Sequence, residues 1–352
     1  MRAELVDLLT RYLTPKTGRP CYAGAVVLVS VRGRTVVHEP LGYALRYRSD
    51  TDELPDAERV PMRPDAIFDL ASITKVFTAL VALREADAGR LDLAAPVADY
   101  LPEFGRAGVT VAMLLAHTSG LPALLHSTDA ELPPGTVFRY SDVGLITLGR
   151  LLERVGGVPL DDLVRRHVTD PLGLRDTRFN PDADPERMVA TEAKPGRGLV
   201  RGVVHDENAY AMGGVAGHAG LFSTAADLAR LGEFLAGDIL AGDGTRLLRP
   251  ETMALLRTDA NPGLPSIDPE HRPGRAAHGL GVELNQRWYM GRLASPVTMG
   301  HTGFTGTSIV VEPARRIVVV LLTNRIHPDR AWAGINPVRE AVATIAAGTP
   351  PE

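Results

Sequence analysis

Ser72 and Lys75 stand in the stretch Leu70-Ala71-Ser72-Ile73-Thr74-Lys75, which has the pattern of a short approach segment that feeds an apolar helix. Residues three apart on a helix lie on one face, a turn apart. A serine hydroxyl becomes an effective nucleophile when a base takes its proton. A neutral lysine amine at this spacing could be that base if desolvation or nearby cations disfavour its charged form. The pair therefore indicates nucleophilic catalysis at Ser72.

Lysine is rare in this chain, which makes Lys75 informative. Only three lysines (Lys16, Lys75 and Lys194) stand among 38 basic residues, and the other basic residues are arginines, which cannot act as proton acceptors. The alternative is a surface lysine beside a serine that caps the helix, since serine is a favoured N-cap residue.

Two later motifs add polar groups. Tyr140-Ser141-Asp142 opens a predicted helix, where the helix dipole would favour a deprotonated phenol; the alternative is a core-edge tyrosine with Ser141 or Asp142 as the helix cap. His301-Thr302-Gly303-Phe304-Thr305-Gly306 is expected between two late strands, where glycines let a backbone approach a ligand closely; the alternative is a glycine-rich bend.

These three motifs, in this order, resemble those of the serine β-lactamase and penicillin-binding-protein superfamily. The middle motif begins with a tyrosine, and in this it resembles the branch of class C β-lactamases, D-Ala-D-Ala carboxypeptidases and family VIII esterases. Further stretches resemble the same branch, so the resemblance covers roughly residues 20–347. They are Leu114–Pro122, Gly217–Thr224 and Gly300–Gly306.

The resemblance implies a role for each site residue. Ser72 would form an acyl-enzyme, while Lys75 and Tyr140 together remove its proton and return it to the leaving group. The backbone N–H groups of Ser72 and Phe304 would form the oxyanion hole. The substrate side of the cleft would comprise Asp142, His301, Thr302 and Gly303, with His301 and Thr302 binding a carboxylate or carbonyl.

Two positions depart from the commonest form of these motifs. The middle motif often ends in asparagine, whereas Asp142 stands here, and an ionised carboxylate accepts hydrogen bonds but cannot donate one to a substrate carbonyl. Such a carboxylate could also hold Lys75 charged. The last motif often begins with lysine, whereas His301 gives a weaker, pH-dependent charge. Esterase and transacylase relatives commonly show these features.

Composition excludes several other classes of protein. The net charge of −4 is small and mixed in sign, which argues against nucleic acid or an anionic membrane as a partner. Cys21 is the single cysteine, and the histidines lack metal-ligand spacing, so neither a metal nor another cofactor is predicted. The N-terminal stretch lacks the apolar core of a signal peptide, and no run has the roughly 18 apolar residues of a membrane span, so we expect a cytoplasmic protein.

Hydrophobic periodicity predicts a sheet of strands from both ends of the chain and a helical middle. Strands are expected at both ends of the chain, so residues 1–88 and 200–352 would form one sheet domain. Residues 89–199 would form a mainly helical domain beside it. The run Ile317–Leu322 is continuously apolar and predicts a central strand buried on both faces. The resemblance implies an α+β fold, an antiparallel sheet flanked by helices with an all-helical domain beside it and the active site between them.

We therefore expect a serine hydrolase that cleaves ester or amide bonds of a small molecule. Three alternatives stay open: an acyltransferase of secondary metabolism, a D,D-carboxypeptidase or β-lactamase, and a penicillin-binding sensor that does not turn over. The sequence leaves the oligomeric state open.

Overall fold

A computed structural model of the chain describes residues 1–15, 18–237, 244, 246–267, 276–331 and 334–348. Its strands are β1 (Gly24–Val31), β2 (Arg34–Leu45), β3 (Val60–Pro61), β4 (Phe68–Asp69), β5 (Arg178–Phe179), β6 (Ala190–Lys194), β7 (Gly198–Arg201), β8 (Leu221–Ser223), β9 (His278–Gly279), β10 (Val282–Leu284), β11 (Met299–Thr302), β12 (Ser308–Glu312) and β13 (Ile317–Thr323).

The helices of the described residues are α1 (Arg2–Leu13), α2 (Thr74–Asp87), α3 (Val97–Tyr100), α4 (Val111–Leu115), α5 (Asp142–Gly156), α6 (Leu160–Val164), α7 (Asp170–Leu172), α8 (Glu207–Ala211), α9 (Ala225–Ala236), α10 (Pro250–Arg257), α11 (Arg287–Met290) and α12 (Asn336–Ala347). A 3₁₀ turn, Ala71–Ile73, leads directly into α2. A π-helical stretch, Arg165–Thr169, joins α6 to α7.

The main sheet has eight antiparallel strands in the order β3-β2-β1-β13-β12-β11-β10-β9. Strand β13 lies between β1 and β12, and all seven of its residues are buried. The continuous apolar run therefore is a central strand, as predicted. The N-terminal hairpin and the C-terminal strands build one sheet from both ends of the chain, which confirms the predicted fold class.

Helices cover both faces of this sheet. On one face, apolar residues of α1 and α12 pack with Val27 and Val319, and on the other, α2 and α9 pack with Val26 and Val320. Alternate residues of β1 thus enter different cores, because side chains along a strand point to opposite faces. A strand buried on both sides must be apolar throughout, which explains the composition of β13.

The middle of the chain carries α3 to α7, in keeping with its predicted helical character. A small sheet in the order β4-β8-β5 joins residues on both sides of position 200. The division into a sheet domain, 1–88 with 200–352, and a helical domain, 89–199, stays a prediction.

Three local predictions differ from the structure. The prolines of 241–275 predict a loop, but Pro250–Arg257 forms helix α10, and Pro250 lies in its first turn, where proline is well tolerated; part of 241–275 lies outside the described residues. The sequence of 180–201 predicts irregular structure, but β6 and β7 form a hairpin within it. A strand is predicted over 297–300, but β11 spans Met299–Thr302, so His301 and Thr302 belong to the strand.

Within the described part of the chain, none of the helices combines the length and the apolar character that crossing a membrane requires.

A buried histidine, His327, joins three distant segments. Its Nε2 accepts the backbone N–H groups of Arg46 and Tyr47, both at 3.1 Å, and its Nδ1 lies 2.9 Å from the Thr191 carbonyl oxygen. Only a neutral ring with the proton on Nδ1 satisfies all three contacts. Burial lowers the pKa of His327 to about 4, although the hydrogen bond to Thr191 opposes that shift.

This depressed pKa predicts a specific loss of stability in acid. In the unfolded chain a histidine titrates near pH 6.5, so between about pH 6.5 and 4 the unfolded state binds the extra proton and the folded state does not. The free energy of unfolding should fall across this window by up to about 3 kcal/mol from this residue. Urea unfolding of wild type and His327→Gln at pH 7.0 and 4.5 measures it. The variant should be less stable at pH 7.0 and lose less on acidification.

The exposed His126 supplies the control, because His126→Gln should keep the wild-type response to acid. Equal acid responses in wild type and His327→Gln would contradict this role of His327.

Candidate active site

Ser72 lies on a sharp turn between β4 and α2. Ala71 has a left-handed φ of 48°, and its N–H donates to the Asp69 carboxylate at 2.8 Å. A non-glycine residue in this conformation is strained, and the second Asp69 oxygen, which accepts the His205 N–H at 2.7 Å, helps to hold the turn in place. In the segment 70–80, Ser72 alone is not buried. The turn therefore leaves the Ser72 hydroxyl partly accessible at the N-terminal end of the apolar helix α2.

Lys75 is buried beneath Ser72, with a side chain only 1% exposed. Its Nζ lies 2.9 Å from Ser72 Oγ, 2.8 Å from Asp142 Oδ1 and 3.2 Å from the His218 carbonyl oxygen. A lysine ammonium has only donors, and Lys75 donates to Ser72 Oγ and to the His218 carbonyl oxygen while it forms an ion pair with the Asp142 carboxylate. The contacts are those of a charged lysine that donates to Ser72.

The loop 213–220 supplies the His218 carbonyl through close backbone packing. A Cβ on Gly217 would lie 2.1 Å from the Leu145 carbonyl oxygen of α5, so only glycine fits there. Thr78, one turn after Lys75, donates its hydroxyl to the Gly217 carbonyl oxygen at 2.8 Å. Successive carbonyls of the loop thus face one side of α2.

Tyr140 is held at the start of α5. Ser141 caps this helix by accepting the Gly144 N–H at 3.1 Å, and its own N–H donates to His117 Nδ1 at 3.0 Å. The His117 ring stacks on Tyr140 with a centroid distance of 4.5 Å. Lys75 Nζ lies 4.8 Å from the centroid of the Tyr140 ring. The structure therefore brings Tyr140 together with Lys75, and the cap is Ser141.

The third motif closes the site through a turn after β11. Thr305 donates its hydroxyl to the Asp69 carbonyl oxygen at 2.7 Å, and Thr307 donates to the Leu70 carbonyl oxygen at 3.1 Å. A Cβ on Gly303 would lie 2.1 Å from Thr307 Oγ1, so glycine is required. The turn is therefore joined to the backbone just before Ser72.

The other residues of this motif lie close to the same site. His301 is buried, with Nδ1 2.8 Å from the Thr302 carbonyl oxygen, and its ring lies 6.1 Å from that of Tyr140. Thr302 is half-buried. Phe304 is 45% exposed, and its ring stacks on His205. All the site residues predicted from the sequence thus belong to one region, although His301 is less accessible than its expected contact with substrate suggests.

A second acidic residue, Asp206, lies near Lys75 and does not belong to any of the three predicted motifs. His218 Nε2 is 2.9 Å from Asp206 Oδ1, which also accepts the Ala209 N–H at 2.8 Å. Burial raises the pKa of Asp206, but the His218 hydrogen bond and charge, together with the Lys75 charge, hold it well below its usual range. Asp206 thus remains an anion close to Lys75.

Within the described ranges, one group of residues has the spacing to hold a metal ion. Ligand atoms of Asp142, Asp206 and His218 all lie within 4.8 Å of one another. The Lys75 ammonium, which forms an ion pair with Asp142, already supplies a positive charge at this place.

Asp69, Asp206 and Arg339 lie outside the three predicted motifs, although their side chains contact segments of the site, and His117 lies in the stretch Leu114–Pro122 without a predicted catalytic role. The Arg339 guanidinium, from α12, donates to the carbonyl oxygens of Gly303 and Thr307. The only available signal in the sequence was that His117 and His218 lie inside motif-like stretches. These stretches indicate residues near the site but do not show which groups each histidine contacts.

Comparison with known proteins shows which family the chain belongs to. A family model described as Beta-lactamase matches residues 9–344. A protein of Salmonella enteritidis PT4, provisionally named D-alanyl-D-alanine carboxypeptidase, is 31% identical over 372 aligned positions that cover 90% of this chain and 82% of that protein.

Two solved structures have a similar fold over their full lengths. A β-lactamase from Mycobacterium bovis has 25% identity and a TM-score of 0.65, covering 97% of this chain and 99% of that one. EstCE1, described as a hydrolase with promiscuous acyltransferase activity, has 25% identity and a TM-score of 0.71, covering 97% and 98%. With a matched family model over nearly its whole length, the chain belongs to the β-lactamase family, within the serine hydrolase superfamily of β-lactamases and penicillin-binding proteins.

Proposed function

We propose that the chain is a serine hydrolase that cleaves ester or amide bonds of small molecules through an acyl-enzyme on Ser72. The observation that carries this proposal is the 2.9 Å contact between Ser72 Oγ and a buried Lys75 Nζ. A serine hydroxyl with this partner, at the start of a helix and beside a phenol, matches the requirements of an activated nucleophile.

Lys75 and Tyr140 both take part in the proton transfer, Tyr140 as the proton acceptor and Lys75 as a hydrogen-bond donor to Ser72. Lys75 donates to Ser72 in the arrangement described, so Tyr140 is the group that takes the serine proton as Ser72 Oγ attacks the substrate carbonyl carbon. Lys75 Nζ lies 4.8 Å from the centroid of the phenol ring, so both groups are close enough to act on the same proton. The same proton then passes to the leaving alkoxide or amine. Water releases the acyl group by the reverse sequence.

The oxyanion of each tetrahedral intermediate is bound by the backbone N–H groups of Ser72 and Phe304. The hydrogen bonds from Thr305 and Thr307 to the Asp69 and Leu70 carbonyls support this role, because they join the two segments that carry those N–H groups. Preorganised donors of this kind supply a large share of the rate of acyl transfer. His301 and Thr302 complete the site as the contacts for a substrate carbonyl or carboxylate.

Two further activities of the same acyl-enzyme have specific support. The 31% identical relative named as a carboxypeptidase favours release of D-alanine from peptides that end in D-Ala-D-Ala. The structural likeness to EstCE1 favours transfer of the acyl group to an alcohol or amine. Adding an acceptor, or a D-Ala-D-Ala peptide, to the ester assay separates these activities by their products, and a lasting adduct without product indicates a sensor.

Replacing Ser72 by alanine should abolish hydrolysis of p-nitrophenyl esters, by at least about 1,000-fold, because no other group can form the acyl-enzyme. The melting temperature and circular dichroism should stay near those of wild type, since the side chain is small and partly exposed. The initial rate of p-nitrophenol release measures the effect.

Ser49→Ala is the matched control, because Ser49 is, like Ser72, a partly buried serine, and its hydroxyl contacts Thr51. It should keep wild-type turnover. Retained ester hydrolysis in the Ser72→Ala protein would rule out the proposed nucleophile.

Asp142→Asn should shift the choice of substrate. The wild-type carboxylate can only accept hydrogen bonds, whereas an amide can donate one to the side-chain carbonyl of an acylamido substrate, a gain of about 0.5–1.5 kcal/mol. Because the variant also loses the Lys75 counter-charge, absolute rates should fall for all substrates. The measured quantity is the ratio of kcat/KM for an acylamido β-lactam to kcat/KM for a simple ester.

That ratio should rise several-fold in Asp142→Asn and should not rise in Asp142→Ala, which lacks the donor. An unchanged or lower ratio in Asp142→Asn would show that Asp142 does not face the substrate.

A further inference from the structure

We propose that Arg339 is a positioning residue of the oxyanion hole, which polarises the peptide group between Gly303 and Phe304 and holds it in place. This inference rests on the proposed function, because it concerns the N–H group that would stabilise the acylation transition state. Arg339 belongs to α12, which is far from the Ser72 turn in sequence. The residue is buried, with only 6% of its surface exposed.

The guanidinium makes two short contacts to one turn. Arg339 Nη2 lies 2.7 Å from the Gly303 carbonyl oxygen and 2.7 Å from the Thr307 carbonyl oxygen. Its Nη1 lies 2.8 Å from Asn336 Oδ1, which orients the group from its own helix. One nitrogen therefore bridges the two ends of the turn that carries Phe304.

The same two carbonyls already close the turn. The Gly303 N–H donates to the Thr307 carbonyl oxygen at 2.8 Å, and the Gly306 N–H donates to the Gly303 carbonyl oxygen at 3.0 Å. Gly306 has a φ of 112°, a conformation that favours glycine. Arg339 thus adds a charged donor to a turn that is already tight, which goes beyond what closing the turn requires.

The chemical consequence follows from the planarity of the peptide bond. The Gly303 carbonyl and the Phe304 N–H belong to one resonant amide, so a donor on the oxygen draws electron density from the nitrogen. Hydrogen bonds that share an amide strengthen one another, and charged donors give the stronger bonds. The Phe304 N–H therefore becomes a better donor to an oxyanion, and it cannot rotate away.

The test compares wild type with Arg339→Gln and Arg339→Lys. Arg339→Gln should acylate roughly 10-fold or more slowly with a p-nitrophenyl ester in stopped-flow measurements, with KM changed much less than kcat, because the lost interaction acts in the transition state. Arg339→Lys, which keeps the charge and one donor, should lose less. In an acyl-enzyme trapped by rapid acidification, the infrared stretch of the acyl carbonyl should move to higher frequency than in wild type.

Arg257→Gln is the matched control. Its guanidinium also donates to a backbone carbonyl, that of Leu235, but it joins α9 and α10 instead of the oxyanion turn. It should leave the carbonyl frequency and the acylation rate unchanged even if it lowers the melting temperature. If Arg339→Gln does not fold, Arg339→Lys carries the same measurement: a flexible ammonium replaces a guanidinium nitrogen that bridges two carbonyls, so a smaller loss of acylation rate and a smaller frequency shift in the same direction are expected.

The outcomes separate two failures. A wild-type protein that never forms an acyl-enzyme with the ester refutes the proposed function, and this inference with it. A wild-type protein that acylates normally, with Arg339 variants that match its acylation rate and carbonyl frequency, refutes only the role of Arg339. A loss of thermal stability without any spectral or kinetic change would likewise show that Arg339 is merely structural.

Discussion

One buried charge, the ammonium of Lys75, sets the requirements that the rest of the site meets. Moving a charged amine out of water costs several kcal/mol unless hydrogen bonds and an opposite charge replace the lost hydration. The Asp142 carboxylate, the Ser72 hydroxyl and the His218 carbonyl provide that replacement from three separate segments. Each of these segments must therefore be held in place, and a different set of contacts holds each one.

The contacts that hold the segments of the site are hydrogen bonds to backbone groups and close approaches at glycines. Asp69 holds the strained turn before Ser72, the Ser141 cap holds the start of α5, and Gly217 lets the loop approach that helix. Thr305 and Thr307 tie the last motif to the first. Because the main sheet is built from both chain ends, all of these segments meet at one region although they are far apart in sequence.

The sequence predicted what depends on local pattern. The spacing of Ser72 and Lys75 predicts that they share one face at a helix start; in the structure Ser72 lies in the 3₁₀ turn that leads into α2, and Lys75 lies in the first turn of α2. The buried central strand predicted over Ile317–Leu322 and the mixed fold are both present. Partners that meet only in three dimensions could not be predicted. Asp69 accepts from His205, 136 residues away, and Arg339 reaches back 36 residues to Gly303. No local pattern specifies such pairs, because their spacing depends on how the sheet is assembled.

The charge state of Lys75 is the claim on which this account depends most directly, and the chain is well suited to its measurement. It contains three lysines, so a protein labelled with ¹⁵N-lysine gives a small set of Nζ signals, and Lys75→Met identifies the one from the site. At neutral pH we expect the Lys75 Nζ signal of a hydrogen-bonded ammonium, protected from exchange with water. The signal of a neutral amine at this position would contradict the account, because Lys75 would then be the proton acceptor for Ser72 and Tyr140 would lose that role.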